Sequence, residues 1–168
     1  MKNTGYVVRR ATEHDVPGIV DCELEVWASL KDLLPEPLVS ESIRYLKTPS
    51  AEADMLRRVL DPNRVVLVAD LKGKIVGVAR GGRREGGVFW LGFLGVRPGY
   101  RRRGIGSALL DAFIEEAKRS GAHKLCLYTS PVLIDAVKLY VSRGFVPEGL
   151  LRKHYYGMDL IHYSLFLE

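Results

Sequence analysis

The stretch YRRRGIGSALL, Tyr100–Leu110, sets three arginines directly before Gly104-Ile105-Gly106 and then passes into an apolar pattern of helical spacing. The first turn of a helix presents unpaired backbone N–H groups and behaves like roughly +0.5 charge, a place where carboxylates stabilise and cations cost about 0.3–1 kcal/mol. Arginines crowded at that end read either as a solvated basic turn with a tight helix start or as a site for an anion that the sequence does not supply, for which a bound phosphate is the candidate. Glycines let the backbone approach such a ligand closely, and successive N–H groups can hold a pyrophosphate while arginine heads screen the remaining charge. Two common phosphate loops are excluded: a Rossmann GxGxxG needs glycine where Leu109 stands, and no window supplies GxxxxGK[ST].

Downstream, Ile105, Leu109, Phe113 and Ala117 repeat every four residues, which predicts an amphipathic helix ending near Ser120-Gly121. A strand at Lys124–Thr129, a helix at 131–143 with Pro131 in its first turn, and two strands around 145–151 and 160–167 follow. Upstream, Val65–Ala69 and Ile75–Arg80 flank a turn at 71–74, a Gly/Arg turn spans 81–87, and VFWLGFLGV forms a strand over Val88–Val96. Closer to the start, a strand at 6–10 precedes a helix bearing Ile19, Val20, Cys22, Leu24, Val26 and Trp27. Prolines at 35, 37 and 49 then divide off short helices at 39–46 and 51–60. The layout predicts one α/β (α+β) domain over residues 1–168, an antiparallel meander entering a strand–helix–strand–helix unit and closing on a strand pair.

An apolar share of 47% and a charged share of 27% suit a folded chain able to bury a core, and the formal charge of +5 favours an anionic ligand or partner without choosing one. No apolar run approaches the ~18–20 residues needed to span a bilayer, and the charged start MKNTGYVVRRATEHD lacks a signal-peptide core, so a cytoplasmic location is expected. Cys22 and Cys126 stand in apolar contexts without CxxC spacing, and are read as buried reduced thiols. His14, His123, His154 and His162 show no metal-ligand spacing, so no metal is assigned.

The run Val96-Arg97-Pro98 followed by Arg101-x-x-Gly104-x-Gly106 resembles the Q/R-x-x-G-x-G/A signature, after a V-x-P turn, of the GNAT superfamily of acetyl-coenzyme A-dependent N-acetyltransferases. A second motif agrees: Ala136, Tyr140, Gly144 and Phe145 match N-x-x-A-x-x-x-Y-x-x-x-G-F, with Leu133 in the place of the asparagine. The resemblance covers residues 65–145 well. It implies a mixed, mostly antiparallel central sheet flanked by helices, with a splayed strand pair holding acetyl-CoA. The pyrophosphate would rest on the N–H groups of Arg102 to Ser107, giving a cofactor set of Leu94, Gly95, Val96, Arg101, Arg102, Arg103, Gly104, Ile105, Gly106 and Ser107. The backbone of Leu94 and Val96 would bond the pantetheine arm, and Gly92 and Gly95 suit a bulge or close backbone approach in that strand. Tyr140 matches the tyrosine that protonates the departing thiolate in many relatives.

The tail also resembles protein N-terminal acetyltransferases of the ribosomal-protein-alanine type, through Arg152, Tyr155, Tyr156 and Asp159. Paired tyrosines there would grip the first residues of a peptide, and Trp27 on the first helix is a further candidate for acceptor contact. Those enzymes carry a glutamate base where this chain has Tyr128; Glu85, Asp135 and His162 are the candidate bases, none favoured by the sequence. Deprotonating a lysine at pH 7 costs roughly 4.6 kcal/mol and an α-amine roughly 1 kcal/mol, which leans the acceptor toward a peptide N-terminus or a small amine of low pKa. Small amines such as polyamines, amino acids and aminoglycosides are the alternative acceptors, and a non-catalytic acetyl-CoA-binding module is a third reading. No nucleic-acid motif is recognised, and a monomer or homodimer is expected.

Overall fold

A computed structural model describes residues 5–168. Its elements are β1 (Val7–Arg10), α1 (Val16–Ala28), α2 (Glu36–Leu46), α3 (Pro49–Leu60), β2 (Arg64–Leu71), β3 (Lys74–Arg83), β4 (Val88–Val96), α4 (Ile105–Arg119), β5 (Lys124–Thr129), α5 (Ile134–Ser142), β6 (Val146–Tyr155) and β7 (Met158–Phe166). The strands form one seven-stranded sheet in the order β1-β2-β3-β4-β5-β7-β6, matching the mixed, mostly antiparallel sheet that the resemblance implied. Only β4 and β5 run parallel, as they must when a helix, here α4, carries the chain back to the same end of the sheet.

Alternate residues of the central strands feed different layers. Val65, Leu67, Phe89, Leu125 and Leu127 pack with Leu109, Phe113 and Ala117 of α4 and with Tyr140 of α5. Val66, Val68, Ile75 and Val78 pack on the other face with Ile19 and Cys22 of α1 and Met55 of α3. A third cluster, Leu34, Leu38 and Val39, joins α2 to Trp27, Leu133 and Met158. Both thiols are buried, and burial pushes Cys22 up to about 12, so it stays protonated and unreactive.

Three expectations are corrected. Pro37 and Pro49 do not divide the helices but sit in their first turns, where no N–H is needed, so α2 and α3 start at Glu36 and Pro49. Conversely, α5 begins at Ile134 and not at Pro131, because Leu133 N–H closes a turn onto the Ser130 carbonyl. Gly81 and Gly82 lie inside β3 and not in a turn. The carbonyl of Trp90 passes so close that a Cβ at Gly81 would meet its oxygen at 1.8 Å, so the glycine serves strand approach.

At the end of β4, Arg97 is only 2% exposed. Its Nε donates to Ile75 O at 2.7 Å, and its Nη atoms pair with Asp21 at 2.8 Å and Glu25 at 2.7 Å on α1. Arg97→Ala leaves a buried carbonyl and two facing carboxylates without their donor. The expected loss is about 2–4 kcal/mol, read as a fall in melting temperature of roughly 5–15 °C.

Candidate active site

Strands β4 and β5 are paired only at Val88–Lys124, Phe89–Leu125 and Trp90–Cys126. Beyond Trp90 the strands part. Arg80 pairs with Phe93 while Gly81 pairs with Leu91, so Gly92 is the extra residue of a bulge that bends β4 away. From Leu91 to Val96, β4 therefore has no strand partner on its β5 side.

The chain then makes a short turn at Pro98–Tyr100 and enters α4 through two left-handed residues, Arg102 (φ 65°) and Gly104 (φ 80°). A non-glycine residue there stores on the order of 1–3 kcal/mol, a cost met most often at ligand sites. The first helical hydrogen bond of α4 runs from Ala108 N–H to Gly104 O, which leaves the N–H groups of Ile105, Gly106 and Ser107 without helical acceptors. Gly104 offers no side-chain cap, and no acidic residue occupies the first turn.

These N–H groups open on a cleft of about 680 Å³ between the splayed β4 and α5. Of the sequence-derived cofactor set, Leu94, Gly95, Val96, Arg101, Arg102, Gly104, Ile105, Gly106 and Ser107 line it, and Tyr140 lines it from the α5 side. Arg103 does not. Its guanidinium turns to Gly99 O at 3.5 Å and over the Tyr100 ring at 5.3 Å. Arg101 braces the loop, donating to Val96 O at 3.0 Å and Ser29 Oγ at 2.8 Å. Arg102, with its side chain 84% exposed, makes a long 3.9 Å ion pair with the equally exposed Asp135 and is the least constrained of the three loop arginines. Sequence reasoning overlooked Val26 near the end of α1 and Leu30 and Leu33 in the turns that follow it. Leu133 stands in the lining with Val132 and Ile134, so the wall at the family's asparagine position is apolar.

Tyr140 is 7% exposed and packs on Phe145 with ring centres 5.7 Å apart. Among the described residues its hydroxyl has no hydrogen-bond partner, and no fully buried side-chain polar atom is left unpartnered, so the hydroxyl reaches the cleft. Burial pushes its pKa up to about 12.

On the opposite face of the sheet from α4, Trp90 stacks on Tyr128 at 5.0 Å, and His162 contacts both rings at 5.4 and 5.0 Å. His162 lies across from Tyr128 in the β5–β7 pairing, with Glu148 3.7 Å from its Nδ1. Burial lowers its pKa against the opposing pull of the Glu148 carboxylate, with Lys124 adding to the lowering, so its imidazole is neutral at pH 7. Asp135 is exposed on α5, and Glu85 lies in the turn before β4, at the end of that strand remote from Val96. Trp27 is half-buried against the α2 cluster and does not line the cleft. Tyr155 ends β6 and meets the Tyr156 ring edge-on at 4.7 Å. Tyr156 sits in the two-residue turn before β7 and donates its hydroxyl to Glu41 of α2, whose carboxylate raises the tyrosine's pKa. Among the described residues, no helix is long and apolar enough to cross a membrane, and no cluster of His, Cys, Asp and Glu could hold a metal.

The chain is 38% identical over 94 residues to N-acetylaspartate synthetase of Xenopus tropicalis, covering 55% of this chain and 35% of that protein. It is 38% identical over 63 residues to [ribosomal protein bS18]-alanine N-acetyltransferase of Escherichia coli, covering 38% of this chain and 42% of that one. The matched part is thus less than half the length of either curated relative. The PaiA N-acetyltransferase of Thermoplasma acidophilum, solved with coenzyme A, superposes with a TM-score of 0.78 at 16% identity, over 95% of this chain and 99% of that one, a likeness of fold. The sequence model of the acetyltransferase (GNAT) family matches residues 27–145, and with the loop and sheet just described it shows that this chain belongs to that family, whose cofactor is acetyl-CoA.

Proposed function

We propose that this chain transfers an acetyl group from acetyl-CoA to a primary amine by direct attack in a ternary complex, with a polypeptide N-terminal α-amine as the acceptor. One observation carries the reading: three uncapped N–H groups at the start of α4 and the unpartnered hydroxyl of Tyr140 open into the same cleft. The cleft suits the cofactor. Its N–H cradle and Arg102 match a pyrophosphate, and its apolar wall from Val26, Leu30, Leu133 and Leu139 matches a flexible, largely uncharged arm. When bound, acetyl-CoA supplies the acetyl group activated as a thioester. The unpaired edge of β4 around Leu94 orients that end, and Tyr140 holds a proton at Oη. Neither cysteine lines the cleft, which leaves no thiol there for a covalent relay. With His162 neutral beside the splay, proton removal from an α-amine costs only roughly 1 kcal/mol at pH 7, so a modest base suffices.

The two arginines divide the cofactor reading. Arg102→Ala is expected to weaken acetyl-CoA binding about 3–10-fold, an effect shrinking at high salt, whereas Arg103→Ala changes it less than about twofold. Calorimetric titration at two ionic strengths checks both.

Coenzyme release with short peptides beginning Ala, Ser or Met, compared with polyamines, amino acids and aminoglycosides, tests the acceptor. Faster turnover of the free amines gives the small-molecule reading, which the likeness to N-acetylaspartate synthetase supports. Tight coenzyme binding with no turnover of any amine gives the non-catalytic module.

A further inference from the structure

A second cleft lies on the sheet face opposite α4. Arg58 of α3, Arg64 of β2, Arg80 and Arg83 of β3, Arg84 beyond it, and Trp90 with Gly92 of β4 line it. Its charge is compensated only in part. Arg80 is paired with Glu23 at 2.6 and 3.0 Å, Arg83 donates to Ser120 O at 2.6 Å, Arg64 keeps a 3.9 Å contact with Asp61 and Arg58 lies in the field of Asp54, while Arg84 forms no ion pair among the described residues. Arg58, Arg64 and Arg84 have no close carboxylate, and an anionic ligand would offset the Coulomb cost of placing them on one cleft.

The cleft continues into the splay. Trp90 lines it and also stacks on Tyr128, and Gly92 is the bulge at which β4 leaves β5. Tyr128 alternates along β5 with Leu125 and Leu127 of the α4 core, so the rings share the face on which Arg80 meets Glu23 of α1, whereas Arg83 turns to the end of α4. At the other end, Tyr156 is bonded to Glu41 and Met158 packs on the Leu34, Leu38 and Val39 cluster, docking the β6–β7 turn onto α2. A chain whose first amine lies at Leu94 can run along the unpaired edge of β4 toward the arginines. At ~3.3 Å per residue, Gly92 is about 7 Å and Trp90 about 13 Å from Leu94, and an extended acceptor advances at the same rate.

We propose that this cleft is a subsite for acidic side chains at the second to fourth residues of the acceptor, so that the protein selects polypeptide N-termini followed closely by Asp or Glu. The inference rests on the acetyl-transfer reading above and adds to it the class of acceptor. Free acidic amino acids do not fit, because their carboxylates lie too close to the amine to span that distance.

The test is calorimetric binding, to the full chain loaded with coenzyme A, of three hexapeptides that begin with alanine and carry three Glu, three Gln or three Lys at positions two to four. The Glu peptide is expected to bind at least about tenfold more tightly than the Gln peptide, with the Lys peptide weakest, and the spread should narrow as salt rises from about 50 to 500 mM. In Arg64→Glu/Arg84→Glu the order should invert. Arg84→Gln, a milder change at an exposed side chain, should cut the Glu preference about threefold even if the double variant folds poorly. Equal affinity for the three peptides overturns the proposal, as does salt-sensitive binding of a short oligouridine with no ranking among the peptides. Absence of turnover on every amine would sink the acetyl-transfer reading while leaving the peptide ranking to judge the cleft by itself.

Discussion

Gly104→Val is expected to weaken acetyl-CoA binding by more than about 100-fold. Gly104 has φ 80° and ψ 6°, a left-handed conformation in which a β-branched residue is strained by on the order of 1–3 kcal/mol. Valine would pull this residue toward negative φ. The N–H groups of Ile105, Gly106 and Ser107 would then turn from the cleft, and several charge-assisted hydrogen bonds of roughly 1.5–3 kcal/mol each would be lost together. A Cβ at this position meets nothing closer than Tyr6 Oη at 3.9 Å, so the effect comes from backbone geometry and not from a clash within the protein. Calorimetry on the variant, with a melting curve to show that it is folded, checks the result. Unchanged affinity in a folded Gly104→Val protein would remove the loop from the cofactor site.

Tyr140→Phe is expected to lower kcat by about 100–1,000-fold while the affinity for acetyl-CoA stays within about twofold, since general acid catalysis contributes on this scale and the ring is retained against Phe145. The pH dependence separates this role from packing. With its pKa raised by burial to about 12, Tyr140 keeps its proton throughout the assay range and produces no descending limb there. The wild-type profile should therefore rise through the α-amine pKa near ~7.7–8.0 and level off, and the variant should follow the same curve at a lower height. Because a thiol near ~8.5 is the stronger acid, Tyr140 in this role would hydrogen-bond to sulfur as negative charge develops there and would not give up its proton in advance. An unchanged kcat, with chemistry shown to limit the rate, would end the assignment.

Strands β4 and β5 run over the residues expected from the sequence, Val88–Val96 and Lys124–Thr129, because each is an apolar run bounded by glycine or polar residues. The start of α4 was equally plain from Gly104 and the four-residue repeat behind it. What stayed hidden depended on distant neighbours. Gly81 and Gly82 look like turn residues until Trp90 is seen passing alongside, and the Tyr156-Gly157 turn places a tyrosine at φ 51°, which local preference argues against. The loop arginines are alike in sequence, yet Ser29 and Tyr100 draw Arg101 and Arg103 aside, leaving Arg102 at the mouth. The second cleft takes its arginines from α3, β2, β3 and the segment after β3, so no single window of sequence displays it.

The three-residue join between β4 and β5 has a consequence for endurance as well as for chemistry. The sheet is two blocks, β1 to β4 and β5 to β7, held by three rungs and by the helices across them. A ligand lodged in the gap touches both blocks only when they are assembled, so it protects the assembled state by mass action, by about 2.7 kcal/mol at a hundredfold excess over its dissociation constant. Amide exchange in β5 and α5 should slow when coenzyme A is added, and resistance to proteolysis should rise with it. The lifetime of the folded chain would then follow the supply of its own cofactor, so that starvation for activated acetyl groups shortens the life of the protein that uses them.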